Sequence, residues 1–346
     1  HDRGGGERLL MGNPVLCFGE LLLRLTPPGS QLLVQANSLE LHPGGAEGNV
    51  AVALASLGHA VRFAGLVSDN ALGDRVVAAL RSAGVDTQFL ARAQGRMGLY
   101  FMENGTGPRP SAITYDRAGS AFAEAASTAI DFAGALQGAR LLHTGGITPA
   151  LGPNGVTLAK AANAAARAAD VPICFDGNYR GALWSSWDSN PGAVLRELVT
   201  DATILIGNHR DISLLLGRTF SGDGADRRRE AAEAAFAAFP KLQLIASTAR
   251  HLVTSDHHRI SARVDGRGNA HQTAEIDVTG IVERIGTGDA FAAGVLHAWL
   301  EGSDERAMAE AGLALTALKH TVPGDMCLVD RTMLESFSAS GGDVRR

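Results

Sequence analysis

Short apolar runs alternate along this chain with longer alanine-rich stretches whose apolar positions recur at helical spacing. Runs at 15–18, 61–66, 141–144, 172–175, 203–206 and 242–247 are too short for helices and are bounded by glycine, proline or polar residues. They read as buried strands. The stretches at 49–57, 73–83, 158–169 and 225–239 read as helices between them, and 289–300 and 304–319 as two longer helices with no strong strand between. Strand followed by helix, repeated, predicts an α/β fold: a mostly parallel central sheet with crossover helices. Two segments break the alternation, 21–41 and 98–115, both rich in turn residues, with short strand patterns at 99–101 and 112–115. They are expected to pair as a small sheet outside the main one, forming a lid.

The length of 346 residues would suit about two average domains, but large α/β folds exceed that average as single units, so one domain over 11–335 is the reading. Residues 1–10 read as a cloning remnant ahead of Met11, and 336–346 as a flexible tail. With 31 Lys+Arg against 36 Asp+Glu the net charge is −5, which gives no global attraction to nucleic acid or an anionic membrane. No apolar stretch approaches the length of a membrane span. Cys17, Cys174 and Cys327 are far apart and set among apolar residues, which fits buried thiols in a reducing, cytoplasmic setting.

The richest candidate chemistry lies at Gly286-Thr287-Gly288-Asp289, where a Gly-x-Gly turn opens a helical pattern. Such a turn aims backbone N–H groups and the positive helix end at one point, a site for a phosphate or a developing oxyanion, with Asp289 placed as a base beside it. Taken alone, the same residues also read as a helix start with Asp289 as its cap. A dinucleotide fingerprint fails because its third glycine is Phe291, and a P-loop fails because no lysine follows a glycine. Gly44, Gly45 and Asn49 form a second constellation. The glycines allow close backbone approach to a polar ligand and the amide can meet a hydroxyl, or the segment is a tight turn with a helix cap. Ser247, Thr248 and Arg250 follow a predicted buried strand, where a doubly wound fold places phosphate-contacting residues.

The pairing of Gly44-Gly45-Ala46-Glu47-Gly48-Asn49 with Gly286-Thr287-Gly288-Asp289-Ala290-Phe291-Ala292-Ala293-Gly294 resembles the ribokinase-like (pfkB) carbohydrate kinases. The resemblance runs from about 15 to 330. Gly19-Glu20-Leu21-Leu22-Leu23-Arg24, Tyr115-Asp116-Arg117-Ala118-Gly119, Asp176-Gly177-Asn178-Tyr179-Arg180 and Lys319-His320-Thr321-Val322-Pro323-Gly324-Asp325 point within it to the branch acting on 2-keto-3-deoxygluconate. The resemblance implies a ribokinase-like fold with a β-lid, and ATP with Mg²⁺ phosphorylating the terminal 6-hydroxyl of that sugar acid. Asp289 would be the base and Gly286, Thr287 and Gly288 the anion hole. Tyr100, Tyr115, Arg117 and Arg180 would lie on the substrate, with Arg117 on its carboxylate, the group for which a planar guanidinium is the preferred partner. Lys319 falls where the resemblance puts the adenine edge, and Asn208 would lie by the nucleotide. The family's magnesium-linked N-x-x-E appears as Asn208 to Asp211, whose shorter arm would reach Mg²⁺ through water; without the resemblance the pair reads as a helix cap. The family's D-T-x-G-A-G-D appears as Glu283-Arg284-Ile285-Gly286-Thr287-Gly288-Asp289, which keeps the turn and the base but replaces the Asp-Thr that supports a monovalent-cation site. The partners implied are a small sugar acid and ATP, with a homo-oligomer through the lid as a further option. The alternatives are a kinase for a neutral ketose, fructokinase-like, and a sugar-acid sensor without catalysis.

Overall fold

The computed structural model describes residues 12–337; the expected remnant at 1–10, Met11, and all but the first two residues of the expected tail at 336–346 lie outside the described residues. The large sheet is centred on β1 (Val15–Phe18), paired in parallel with β4 (Val61–Ser68) and β8 (Leu141–Gly145). On one side β5 (Leu90–Ala93) follows β4; on the other come β9 (Ile173–Asp176), β10 (Ile204–Ile206) and β11 (Leu244–Thr254), all parallel. Beyond β11 the sheet turns antiparallel through β12 (His257–Gly266), which pairs with β13 (Ala270–Gln272) and β14 (Ile276–Thr279). The order β13-β12-β11-β10-β9-β8-β1-β4-β5 reverses its direction of travel beside β1. In such a sheet a crevice opens there, at the carboxyl ends of the strands.

Alternate residues of one strand enter different cores. Val15 and Cys17 pack with the helices Ala46–Ser56, Thr287–Leu300 and Glu305–Lys319, whereas Leu16 and Phe18 pack with Pro153–Ala168 on the opposite face. Along β11, Leu244 and Ala246 face the first layer and Ile245 the second. This period of two in strands that are buried on both faces is why each predicted core strand is a continuous apolar run. All three cysteines are free and buried. Among the described residues no helix is long and apolar enough to cross a membrane.

The second sheet has the order β3-β2-β6-β7, built from β2 (Leu22–Thr26), β3 (Glu40–Gly44), β6 (Gly98–Glu103) and β7 (Ala112–Asp116). Both segments that interrupt the α/β alternation therefore contribute to it. Leu22, Tyr100 and Met102 form its small core, against which Ile285 packs. That contact joins this sheet to the turn at the head of helix Thr287–Leu300.

Several boundaries differ from the sequence expectation. The strand expected to end at 247 runs on to Thr254, because its outer half is an exposed hairpin arm whose polar residues carry no apolar signal. Helix Pro191–Val199 went unpredicted, and of His209–Leu216 only the capping pair at Asn208 and Asp211 was read; both are short, and each begins at an asparagine cap, Asn190 and Asn208. Helix Pro153–Ala168 begins five residues early, with proline in its first turn, where a missing N–H costs nothing.

Candidate active site

A cavity of about 910 Å³ opens at the carboxyl ends of the parallel strands and is lined by residues of both sheets. At its floor stands the turn that heads helix Thr287–Leu300. Gly286 has φ 77°, and a Cβ there would collide with the Asp325 carbonyl, so the turn requires glycine. The first N–H groups of the helix have no partner within it and face the cavity end, where the macrodipole is positive. Gly286 itself is the helix cap and no side chain caps the helix, which decides against Asp289 as a cap. Instead, Asp289 Oδ2 accepts a hydrogen bond from Asn49 Nδ2 at 2.7 Å. Asn49 lies inside helix Ala46–Ser56, whose cap is Gly45, so it too is free for this task. Gly45 has φ 136°, and a Cβ there would strike the Glu20 carbonyl.

Burial raises the Asp289 pKa to about 6, with Asp325 adding to the rise, while the Asn49 hydrogen bond and Arg180 hold it down. A carboxylate so placed can accept a proton near neutral pH. Asp176, at the end of β9, also lines the cavity, and burial with the nearby Asp289 and Asp211 raises its pKa to about 8. Mutual repulsion among oxygen donors that face one space is relieved by a hard divalent cation, so Asp176 and Asp211 fit Mg²⁺. Asp211 also accepts the Asn208 N–H at 2.8 Å, and Asn208 Oδ1 accepts from Arg210 N at 2.8 Å. The capping reading of this pair is therefore realised, while both residues still line the cavity.

At the lid end, Tyr100 and Tyr115 stand with ring centroids 5.9 Å apart, and the Arg117 guanidinium lies 5.9 Å from the Tyr115 ring. Arg117 is not the free cation expected for a substrate carboxylate. Glu20 accepts its Nε at 2.9 Å and its Nη2 as well, and also the Ser120 hydroxyl at 2.7 Å. Nη1 keeps no hydrogen bond among the described residues. The opposite end is different: Ser247, Thr248 and Arg250 of β11 line it with Arg180, Arg210 and Arg284. Among the described residues none of these four arginines has an ion-pair partner. Partial loss of hydration against the cavity wall and the neighbouring Arg284 lower the pKa of the exposed Arg250, the mark of an unneutralised cationic wall.

Two expected site residues are corrected. Gly44 ends β3 facing the Asp325 carboxylate, outside the cavity lining. Lys319 does not meet a nucleotide edge: it is fully buried, with Nζ donating to the carbonyls of Val322 at 2.9 Å and Gly324 at 2.8 Å. Its long arm turns inward because the helix ends there and the following turn presents unpaired carbonyls. Sequence reasoning met Asp176, Glu20, Arg210 and Arg284 only as motif residues and gave none of them a site role. Position alone could have found the acids, since Asp176 directly follows the strand expected at 172–175 and Glu20 lies just past the one at 15–18, where ligands gather in such sheets.

A family model described as the pfkB family of carbohydrate kinases matches residues 13–330, and the chain belongs to that family: it is a carbohydrate kinase. Within the family it is similar to 2-dehydro-3-deoxygalactonokinase of Haloferax volcanii, with 32% identity over 332 residues, covering 95% of this chain and 98% of that protein. The crystal structure of 2-dehydro-3-deoxygluconokinase from Thermotoga maritima superposes with a TM-score of 0.89 at 34% identity, covering 95% of this chain and 99% of that one. A fructokinase from Xylella fastidiosa with bound ATP shares the fold, with a TM-score of 0.75, 21% identity, and coverage of 94% and 98%.

Proposed function

We propose that the protein transfers the γ-phosphoryl group of ATP to the terminal 6-hydroxyl of 2-keto-3-deoxygluconate. The observation that carries this reading is the placement of Asp289, held by Asn49 at 2.7 Å, directly after the Gly286–Gly288 turn and between the lid end and the arginine-lined end. The relatives named 2-dehydro-3-deoxygalactonokinase and 2-dehydro-3-deoxygluconokinase support a sugar acid as acceptor. Asp289 takes the hydroxyl proton as the oxygen attacks the γ-phosphorus. The bond from that phosphorus to the bridging oxygen breaks, and ADP leaves with the electron pair. The N–H groups of Gly286, Thr287 and Gly288 stabilise charge on the transferring phosphoryl, and Arg180, whose charge reaches both Asp176 and Asp289, stands beside its path. Magnesium, held by Asp176 and Asp211 with Asn208 beside them, would neutralise the phosphate oxygens.

Arg117 with Tyr100 and Tyr115 would orient the acid end through the free Nη1, while Gly45 allows backbone approach to the sugar. Glu20's hold on Arg117 favours a second reading, a neutral ketose as acceptor, because a guanidinium already paired has less charge to offer a carboxylate. ADP release measured over a panel of 2-keto-3-deoxy acids, fructose and ribose separates the two. Turnover on the acids is expected, and turnover confined to neutral sugars would overturn the sugar-acid assignment.

A further inference from the structure

The phosphoryl-transfer chemistry leaves unused a set of ionised groups buried behind the Gly286–Gly288 turn. Lys319 is excluded from solvent, and its Nζ sits among the backbone carbonyls of Val322 and Gly324. Its Cε lies 3.3 Å from where a Cβ on Gly286 would stand, so the ammonium arm runs against the back of the turn. Arg24 of β2, 1% exposed, donates from Nη2 to Glu283 at 2.6 Å, and its Nε lies 2.8 Å from an Asp325 oxygen. The other Glu283 oxygen accepts the N–H groups of Arg284 at 2.9 Å and Ile285 at 3.1 Å, the two residues that lead into the turn. Asp325 accepts the Tyr100 hydroxyl at 2.5 Å. Lys319 and Arg24 thus balance Glu283 and Asp325 in a space where an isolated charge would be costly.

Inward-facing backbone carbonyls beside carboxylates, behind a turn that binds anions, make a cavity suited to a weakly hydrated monovalent cation. In this chain the carbonyls are already taken by an ammonium, an ion of the same charge and similar size to potassium. The residues present do not fit an added monovalent cation.

We infer that the Lys319 ammonium is a tethered cation for this turn, a positioning residue that holds Gly286–Gly288 in place for phosphoryl transfer and makes the enzyme independent of added monovalent cations. The inference rests on the kinase reading of the site. Burial lowers the lysine pKa from its ordinary value, while Glu283 and Asp325 oppose that fall and favour the charged form.

The test compares wild type, Lys319→Ala and Lys319→Met in choline, sodium, potassium and ammonium chlorides at equal ionic strength. It reads kcat, both KM values and, without turnover, Tm. Wild-type kcat and Tm are expected to be the same in all four salts. Lys319→Ala, which opens space at the carbonyls, should lose about tenfold or more in kcat in choline, with smaller changes in KM. Potassium or ammonium, but not choline, should restore most of that loss and raise the Tm of this variant. Lys319→Met, which fills the space without charge, should be impaired in every salt. Strong activation of wild type by potassium overturns the inference, as does a folded Lys319→Ala that keeps wild-type kcat or is impaired equally in all salts. If Lys319→Ala does not fold, the wild-type salt series and Lys319→Met still decide. Absence of wild-type turnover on any sugar would instead remove the kinase assignment of substrate, and the salt dependence of Tm would still report on the cation.

Discussion

In and beside the small sheet charged groups arrive already matched, Arg117 by Glu20 and Arg24 by Glu283 and Asp325, whereas at the open end of the cavity Arg180, Arg210, Arg250 and Arg284 stand without ion-pair partners among the described residues. The difference follows from solvent access. Arg24 and Arg117 are buried, where an unpaired guanidinium would cost several kcal/mol, so their charge must be compensated whether or not a ligand is bound. Arg180, Arg210 and Arg250 are exposed; water tolerates their charge until a polyphosphate displaces it. A buried matched end suits rigid positioning, and an exposed unmatched end attracts anions.

Asp289 sits where the ends meet, and its replacement should have the largest effect. Asp289→Asn is expected to lower kcat by at least about 10²-fold while ATP affinity, measured by equilibrium titration, changes little. Wild-type turnover in this variant would remove its role as base. At the open end, Arg250→Ala should raise KM for ATP by about tenfold and leave KM for the sugar acid nearly unchanged, as loss of one exposed charge-assisted contact implies. A shift in the sugar KM instead would break the division between the ends. Asp211→Ala should raise the magnesium concentration for half-maximal activity a few-fold, since a carboxylate that orients the metal's water shell would be lost. An unchanged magnesium titration would leave Asp211 with helix capping alone.

The smallest effect concerns Glu47, buried beneath both ends with Oε1 lacking a partner. Burial, with Asp176 and Asp289 nearby, raises its pKa from 4.5 to about 8. The folded state therefore binds a proton that the unfolded state releases above 4.5, so this contribution is fully present below that value and is lost as pH rises through about 8. Glu47→Gln, isosteric with the protonated form, should flatten the decline in Tm between pH 4.5 and about 8 by a few degrees. An identical decline in both proteins would show that Glu47 does not hold the proton.

The parallel core was legible in the sequence because strands buried on both faces are written as unbroken apolar runs. The turn at Gly286 was legible because only glycine fits it. What was not legible is how charges pair across the chain: Glu20 and Arg117 are 97 positions apart, and Arg24 and Glu283 are 259 apart. The resemblance put Arg117 on a substrate carboxylate, but the sequence does not disclose that a carboxylate of the protein already stands on it. Lys319 illustrates the same limit, since a lysine near a nucleotide motif and a lysine folded back onto its own turn share one local pattern.

The most direct test of the account is a cycle on Arg117 with two substrates, 2-keto-3-deoxygluconate and its carboxamide. If Arg117 reads the acid, Arg117→Ala removes a charge-assisted contact and leaves Glu20 uncompensated against the substrate carboxylate. The variant should then lose about 1.5–3 kcal/mol, or one to two decades in kcat/KM, on the acid and much less on the carboxamide. Arg117→Lys should recover part of the loss, because a point charge cannot reproduce the planar fork. Equal losses on both substrates would mean that Arg117 serves only to neutralise Glu20 and hold the lid, and that would contradict the sugar-acid assignment.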